Sequence, residues 1–190
     1  MKKIIAGVDE VGRGSLIGPV YAAAVIFKTN LNKKKIKDSK KLSKKKREVL
    51  EKYIKKNSYW SIGSASLKEI DELNILNASL IAMKRAIIKL NKKPSYIFID
   101  GNRVPKMKNY KLKSIIKGDQ KVPEISAASI IAKVARDRLI NKISKKYKNY
   151  AWDKNAGYGT KLHLLAIKKF GVTRHHRKTF SPIHNILSPH

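Results

Sequence analysis

The chain has 190 residues, of which 42% are hydrophobic, so it can form a folded domain with a real core, which argues against wholesale disorder. It contains no cysteine, which excludes disulfides and thiolate metal sites. Its 44 Lys and Arg against 13 Asp and Glu give a formal net charge of +31, and so basic a chain is expected to bind a polyanion such as nucleic acid. Lysine runs are also typical of AT-rich genomes, so charge alone supports such a partner without proving it.

The apolar stretch near the N-terminus is too short for a signal peptide, and no stretch approaches the roughly 20 apolar residues of a membrane span. We therefore expect a cytoplasmic protein without a membrane partner, and we expect a monomer.

Apolar periodicity predicts strands that alternate with helices. In chain order, the predicted elements are strands at 4–8 and 20–27, a helix that begins after the N-cap Ser43, a strand at 59–66, a long helix with apolar positions from 76 to 90, a strand at 96–99, and helices at 124–143 and 161–170. This order predicts an α/β fold with a mixed central sheet flanked by helices. We predict a main domain over residues 1–144 and a small helical appendage over 145–190 that packs on it.

Three acids follow apolar runs in a chain that has few acids. Asp9 and Asp100 each end a run that is predicted to be a buried strand, and Asp119 follows a third apolar approach. A single Asp at such a place is more often a turn residue or a cap, but three carboxylates that converge must share a proton or bind a cation. Oxygen ligands without cysteine favour Mg²⁺ or Mn²⁺, and two such ions are a standard means of hydrolysing a phosphodiester.

Glu10 directly follows Asp9. Because successive residues of a strand face opposite ways, both cannot reach one ion from regular strand geometry. Either the strand ends at Asp9, or Glu10 contributes differently.

Other polar residues have structural explanations. Glu51 is predicted to be a solvated charge partner on a lysine-rich helix, and Asp137 to pair with Lys133 four residues earlier. Three histidines in the basic C-terminal part are predicted to lie at the surface or to contact phosphates: His163, His175 and His176.

Several motifs, in order along nearly the whole chain, resemble those of the ribonuclease HII family. They are 8–14 (VDEVGRG), 38–43 (DSKKLS), 99–101 (IDG), 117–119 (KGD), 125–134 (ISAASIIAKV), 157–160 (GYGT) and 180–182 (FSP). The resemblance implies a ribonuclease H-like catalytic domain and endonucleolytic cleavage of RNA in RNA–DNA hybrids. It also implies nicking at single ribonucleotides embedded in duplex DNA, by two metal ions, with 5′-phosphate and 3′-hydroxyl ends.

The resemblance also assigns roles to individual residues. The catalytic carboxylates and metal ligands it implies are Asp9, Glu10, Asp100 and Asp119. The implied reader of the ribose 2′-hydroxyl is Gly12, Arg13 and Gly14, and Tyr158 matches an aromatic residue that stacks on the next sugar. Candidates for contacts with the nucleic-acid strands are Lys40, Lys41 and Asn74.

Two alternatives remain at this point. A non-enzymatic basic RNA-binding protein would explain the charge but not the acids. Another nuclease or strand-transfer enzyme with a ribonuclease H-like fold would share the carboxylates, but it would not need residues 12–14 or Tyr158.

Overall fold

A five-stranded sheet forms the centre of the protein. The computed structural model describes residues 3–28, residue 36 and residues 42–188. The strands are β1 (Ile5–Val11), β2 (Val20–Phe27), β3 (Ser58–Ala65), β4 (Tyr96–Asp100) and β5 (Leu112–Ile115). They lie in the order β3-β2-β1-β4-β5. β2 is antiparallel to β1 and β3, whereas β1, β4 and β5 are parallel neighbours. The predicted mixed α/β sheet is confirmed.

Helices lie on both faces of this sheet and in the C-terminal region. They are α1 (Lys44–Lys56), α2 (Leu67–Ile88), α3 (Gly118–Lys121), α4 (Pro123–Ser144), α5 (Trp152–Asn155), α6 (Lys161–Phe170) and α7 (Ser181–Leu187), with a 3-10 helix at Lys148–Tyr150. As predicted, the Ser43 side chain caps α1 by accepting a hydrogen bond from the Lys46 amide. β5, α3 and α5 are too short for apolar periodicity to reveal them.

The sheet is covered on both faces. Alanines of α4, including Ala127 and Ala128, pack with Ala23 of β2 in one buried cluster, while α2 covers the opposite face. Small residues let α4 approach closely, and Gly7 of β1 shows how closely: a Cβ there would lie 2.1 Å from the backbone carbonyl carbon of Glu124. This packing buries the middle of β1, from Ala6 to Asp9, against α4.

α2 is kinked at Asn74, which has a φ of 65° and a ψ of 165°. Asparagine tolerates positive φ better than most residues. Its side-chain oxygen accepts hydrogen bonds from the amides of Leu76 and Asn77 and so caps the second part of the helix. This explains the residue structurally, and its contact with a nucleic-acid strand stays a prediction.

The region after residue 145 is built around its own buried cluster. Trp152, Ile167 and Ile183 pack there with Ile17, from the loop between β1 and β2, and with Ile140 of α4. The division of the chain at residue 145 stays a prediction. Within the described ranges, the helices are all too short or too polar to cross a membrane.

Candidate active site

The register of the sheet places Asp9 beside Asp100. β1 and β4 are parallel neighbours in which Val8 is aligned with Ile99, so the next residue of each strand is an acid. Asp100 is the last residue of β4, as predicted. Asp9 is buried, with only 5% of its surface exposed, and its Oδ1 accepts a hydrogen bond from the Glu10 amide at 2.7 Å.

Asp100 also holds the start of α3. Its Oδ1 accepts hydrogen bonds from the amides of Gly118, at 2.7 Å, and Asp119, at 3.3 Å. Asp119 is half-buried in the first turn of that helix. The third predicted acid therefore lies next to Asp100 because its own backbone is tied to the Asp100 carboxylate.

Glu10 does not follow a strand end. β1 continues to Val11, and Glu10 pairs with Ala22 of β2 just as Asp9 pairs with Ala23. Of the two alternatives left open for Glu10, a strand that ends at Asp9 is wrong, because the antiparallel ladder with β2 extends β1. Glu10 Oε1 accepts a hydrogen bond from Arg13 Nη1 at 3.2 Å, whereas Oε2 is buried and has no hydrogen-bond partner among the described residues.

Negative charge is poorly compensated at this place. Burial, and then the neighbouring charge of Glu10, raise the pKa of Asp9 well above its usual value; Asp100 raises it further, and the Ser129 hydroxyl opposes the shift. Burial also raises the pKa of Glu10, although Arg13 acts in the opposite direction. Three carboxylates that repel one another in a buried place require a proton or a cation.

A divalent cation fits this set of donors. The ligands are hard carboxylate oxygens, and Glu10 Oε2 is left without a partner that an ion would supply. In the described ranges, however, no group of three or more His, Asp or Glu side chains is already arranged to hold an ion. The role of these acids as metal ligands therefore stays a prediction.

The predicted ribose-reading residues lie next to these acids. We call residues 12–14 the GRG loop. Arg13 connects the loop to Glu10, and Ser15, just after it, forms a β-bridge with Tyr158. Tyr158 is 36% exposed, and a Cβ on Gly14 would come within 3.9 Å of its ring. The structure thus brings together the GRG loop, Tyr158 and the carboxylates, whereas Lys40 and Lys41 lie outside the described residues.

Two buried arginines beneath the GRG loop were not predicted to have any role. Arg136 and Arg177 have no exposed surface. Arg177 donates hydrogen bonds to the carbonyl oxygens of Gly12 and Arg13. The sequence around Arg177 gives no sign of burial, since its neighbours are other basic residues.

The prediction of surface or phosphate-contacting histidines is wrong for two of the three. His163 is fully buried and His176 is 2% exposed, whereas His175 is half-buried. The two buried rings pack with Trp152 and Tyr150, so their neighbours are aromatic rather than solvent.

Among the other acids, Asp137 forms the predicted ion pair with Lys133, at 2.7 Å. Glu51 is buried rather than solvated, because Arg138 of α4 reaches across and binds both of its oxygens at 2.9 Å. Arg138 lies on a different helix, so the sequence pattern of α1 alone does not predict that Glu51 is buried.

Known proteins match the chain along its length. The family model for ribonuclease HII matches residues 6–183. Ribonuclease HII of Pelagibacter ubique is 69% identical over 97% of this chain and all of its own length. The crystal structure of ribonuclease H2 from Pyrococcus horikoshii has a TM-score of 0.80 at 30% identity and covers 96% of each chain. The ribonuclease HII in a PCNA complex from Archaeoglobus fulgidus has a TM-score of 0.80 at 26% identity and covers 93% of this chain and 95% of its own.

These matches decide between the alternatives that the sequence left open. A non-enzymatic RNA-binding protein and a different ribonuclease H-like nuclease would not share a family model over nearly the whole chain together with close relatives of equal length. The chain belongs to the ribonuclease HII family, and it is a metal-dependent ribonuclease.

Proposed function

We propose that the protein cleaves the RNA strand of RNA–DNA hybrids and nicks duplex DNA on the 5′ side of a single embedded ribonucleotide. The observation that carries this proposal is the contact of 3.2 Å between Arg13 Nη1 and Glu10 Oε1. It joins the loop that would recognise a ribose to the carboxylates that would support hydrolysis. Recognition and cleavage would then act on neighbouring groups of one strand.

Asp9, Glu10 and Asp100 would hold Mg²⁺ or Mn²⁺, and Asp119 would complete a second site or orient water. When bound, such ions activate the attacking water and stabilise the leaving 3′ oxygen. The water oxygen forms a bond to phosphorus and the bond from phosphorus to the 3′ oxygen breaks, so the ends are a 5′-phosphate and a 3′-hydroxyl. The uncompensated charge around Asp9 and the unpartnered Glu10 Oε2 support this assignment.

The GRG loop and Tyr158 would select the substrate. Arg13 and Gly14 are exposed, so their backbone can approach a sugar, and the 2′-hydroxyl is the group that separates RNA from DNA. The Tyr158 ring, exposed beside Gly14, would stack on the sugar beyond the junction. Lys40 and Lys41 would contact backbone phosphates.

The proposal is tested with a duplex that carries one ribonucleotide, incubated with the protein and Mg²⁺ or Mn²⁺. The expected product is a single nick on the 5′ side of the ribonucleotide, with no cleavage of an all-DNA duplex of the same sequence. Equal cleavage of both duplexes, or of neither, would contradict the proposal.

The site is tested by Asp100→Asn, which removes one ligand charge but leaves an oxygen that can still accept hydrogen bonds from Gly118 and Asp119. We expect the variant to bind the duplex and to lose at least about a hundredfold in cleavage rate. Asp153→Asn is the matched control, because Asp153 is exposed on α5. An Asp100→Asn variant with the activity of the control would show that the assignment is wrong.

A further inference from the structure

Arg177 lies beneath the GRG loop and binds its backbone. The guanidinium donates three hydrogen bonds to carbonyl oxygens: Nη2 to Gly12 at 2.7 Å, Nη1 to Arg13 at 2.8 Å and Nε to Gly18 at 3.0 Å. The Arg177 amide also donates to the Leu16 carbonyl, at 2.9 Å. A single side chain thus fixes the direction of two successive peptide groups in the loop.

This anchoring determines where the loop amides point. In a trans peptide the carbonyl and the N–H of the same unit point in opposite directions, and no described peptide is cis. Because the carbonyls of Gly12 and Arg13 face Arg177, the amides of Arg13 and Gly14 face away from it. Both residues are exposed, and neither amide donates to an acceptor within the described part of the chain.

A second buried guanidinium supports the first. Arg136 Nη1 donates to the carbonyl of Ala156 at 3.0 Å, and its Nη2 donates to that of Ile17 at 3.3 Å. Its Cζ lies 5.8 Å from the centre of the Tyr158 ring. A Cβ on Gly12 would meet Arg136 Nε at 2.2 Å, so the loop rests directly on this side chain.

These two charges are expensive to bury. Within the described ranges neither guanidinium forms a salt bridge with a carboxylate, and they repel each other. Burial, followed by the charge of Arg136, lowers the pKa of Arg177 to about 9. Replacing buried charges by apolar residues of similar volume is often neutral or stabilising, so stability alone does not account for the pair. The position of the two arginines beneath two outward-facing amides accounts for their burial.

We propose that Arg177 is the positioning residue for ribose selection: by holding the carbonyls of Gly12 and Arg13, it directs the amides of Arg13 and Gly14 at the 2′-hydroxyl of the substrate. Arg136 supports the loop from the side of Tyr158. This inference rests on the proposed role of the GRG loop, which it deepens.

The forked shape of the guanidinium, and not its charge alone, carries the effect. A lysine at position 177 keeps one positive charge, but it cannot donate to three carbonyls in fixed directions. Arg177→Lys is therefore expected to lose selectivity for the ribonucleotide while keeping its general affinity for duplex DNA. Arg138→Lys is the matched control, because it makes the same change on the exposed side of α4, where Arg138 pairs with Glu51.

Both changes are best measured in the Asp100→Asn background with Mg²⁺, where binding is separated from cleavage. The measured quantity is the ratio of affinities for a duplex with one ribonucleotide and an all-DNA duplex. We expect this ratio to fall about tenfold with Arg177→Lys, as for the loss of a pair of hydrogen bonds, and to stay constant with Arg138→Lys. A merely structural role would lower both affinities together and leave the ratio unchanged, which would overturn the inference.

The outcome also separates this inference from the proposed function. If the Asp100→Asn parent binds both duplexes equally and the wild-type protein cleaves both alike, the proposed ribose selection fails. If the parent prefers the ribonucleotide and Arg177→Lys keeps that preference, only the role of Arg177 fails.

A measurement on the Asp100→Asn protein keeps the test valid if Arg177→Lys does not fold. The amide signals of Arg13 and Gly14 in ¹H–¹⁵N NMR spectra are expected to move on adding the ribonucleotide duplex and to respond differently to the all-DNA duplex. An identical response of both amides to the two duplexes would overturn the inference.

Discussion

The indole Nε1 of Trp152 donates a hydrogen bond of 2.8 Å to Nε2 of His163. Because Nε2 accepts, the proton of His163 is on Nδ1, which lies 3.0 Å from the carbonyl oxygen of Tyr158. His176 Nδ1 accepts from the Thr173 amide at 2.9 Å, so its proton is on Nε2, which faces His163 Nε2 at 3.3 Å. With both histidines neutral, every ring nitrogen has a hydrogen-bond partner, and the network ends at the backbone of Tyr158.

The first prediction is that acid destabilises the protein through these histidines. Burial, and then the neighbouring His163, lower the pKa of His176 to about 4 from its ordinary 6.5, and burial also lowers the pKa of His163. Between these values the unfolded chain binds protons that the folded chain does not, so stability falls as pH falls below 6.5. We expect a loss of about 2 kcal/mol through His176 alone on going from about pH 7 to about pH 5.

Urea unfolding at a series of pH values checks this prediction. His176→Gln is expected to lower the free energy of unfolding at neutral pH but to make it less dependent on pH in that range. His184→Gln is the control, because His184 is exposed on α7. An equally steep pH dependence in His176→Gln would contradict the prediction.

The histidines show where sequence interpretation fails. His176 stands among basic residues, and this local pattern predicts solvent exposure. Its burial depends on Trp152 and His163, which lie far enough away in sequence that no periodic pattern connects them. In contrast, Asp100 could be placed from the sequence alone, because a compact apolar run and an adjacent acid are local features.

The end of β1 is another feature that a local pattern does not reveal. The apolar run of β1 stops at Val8, and this run predicts a strand only at 4–8. Hydrogen bonds with β2 carry the strand to Val11, and the length of such a ladder is set by both strands together. Whether Asp9 and Glu10 reach one ion stays a prediction, and in the structure Glu10 accepts a hydrogen bond from Arg13.

The second prediction concerns stability without metal. Asp9, Glu10 and Asp100 repel one another, so Asp100→Asn is expected to stabilise the metal-free protein by about 1 kcal/mol even though it is expected to slow cleavage. The wild-type protein is expected to gain about 2.7 kcal/mol when Mg²⁺ is present at a hundredfold excess over its dissociation constant, and the variant is expected to gain less.

Thermal unfolding in a chelator and in Mg²⁺ measures both effects. Asp153→Asn controls for a general change of surface charge and is expected to behave like the wild-type protein. If Mg²⁺ does not raise the unfolding temperature of the wild-type protein, these carboxylates do not form its metal site.

The third prediction separates backbone strain from collision in the GRG loop. Gly12 has a φ of +90°, and a Cβ there would lie 2.2 Å from Arg136 Nε, whereas Gly101 has a φ of +94° and open space around it. Gly101→Ala is expected to cost about 1 kcal/mol of stability through strain alone. Gly12→Ala is expected to cost more, about 3 kcal/mol, because the buried guanidinium must also move.

Urea unfolding of the two variants tests this difference. Gly14→Ala is a further control, since its Cβ would meet only the Tyr158 ring at 3.9 Å, and its stability is expected to stay close to that of the wild-type protein. Equal losses in Gly12→Ala and Gly101→Ala would show that Arg136 does not support the loop.

The last prediction separates general charge from ribose selection. With a formal net charge of +31, the protein is expected to bind duplex DNA through many phosphates, and its affinity to fall by about a thousandfold between about 50 mM and about 200 mM salt. A hydrogen bond to a 2′-hydroxyl releases no counterion, so the preference for a ribonucleotide is expected to stay constant over this range.

Plots of affinity against salt for the two duplexes, measured with Asp100→Asn, are therefore expected to be steep and parallel. If they converged at high salt, the preference would arise from phosphate contacts rather than from the amides of Arg13 and Gly14, whereas a flat response for both duplexes would show that the lysine excess has no role in binding.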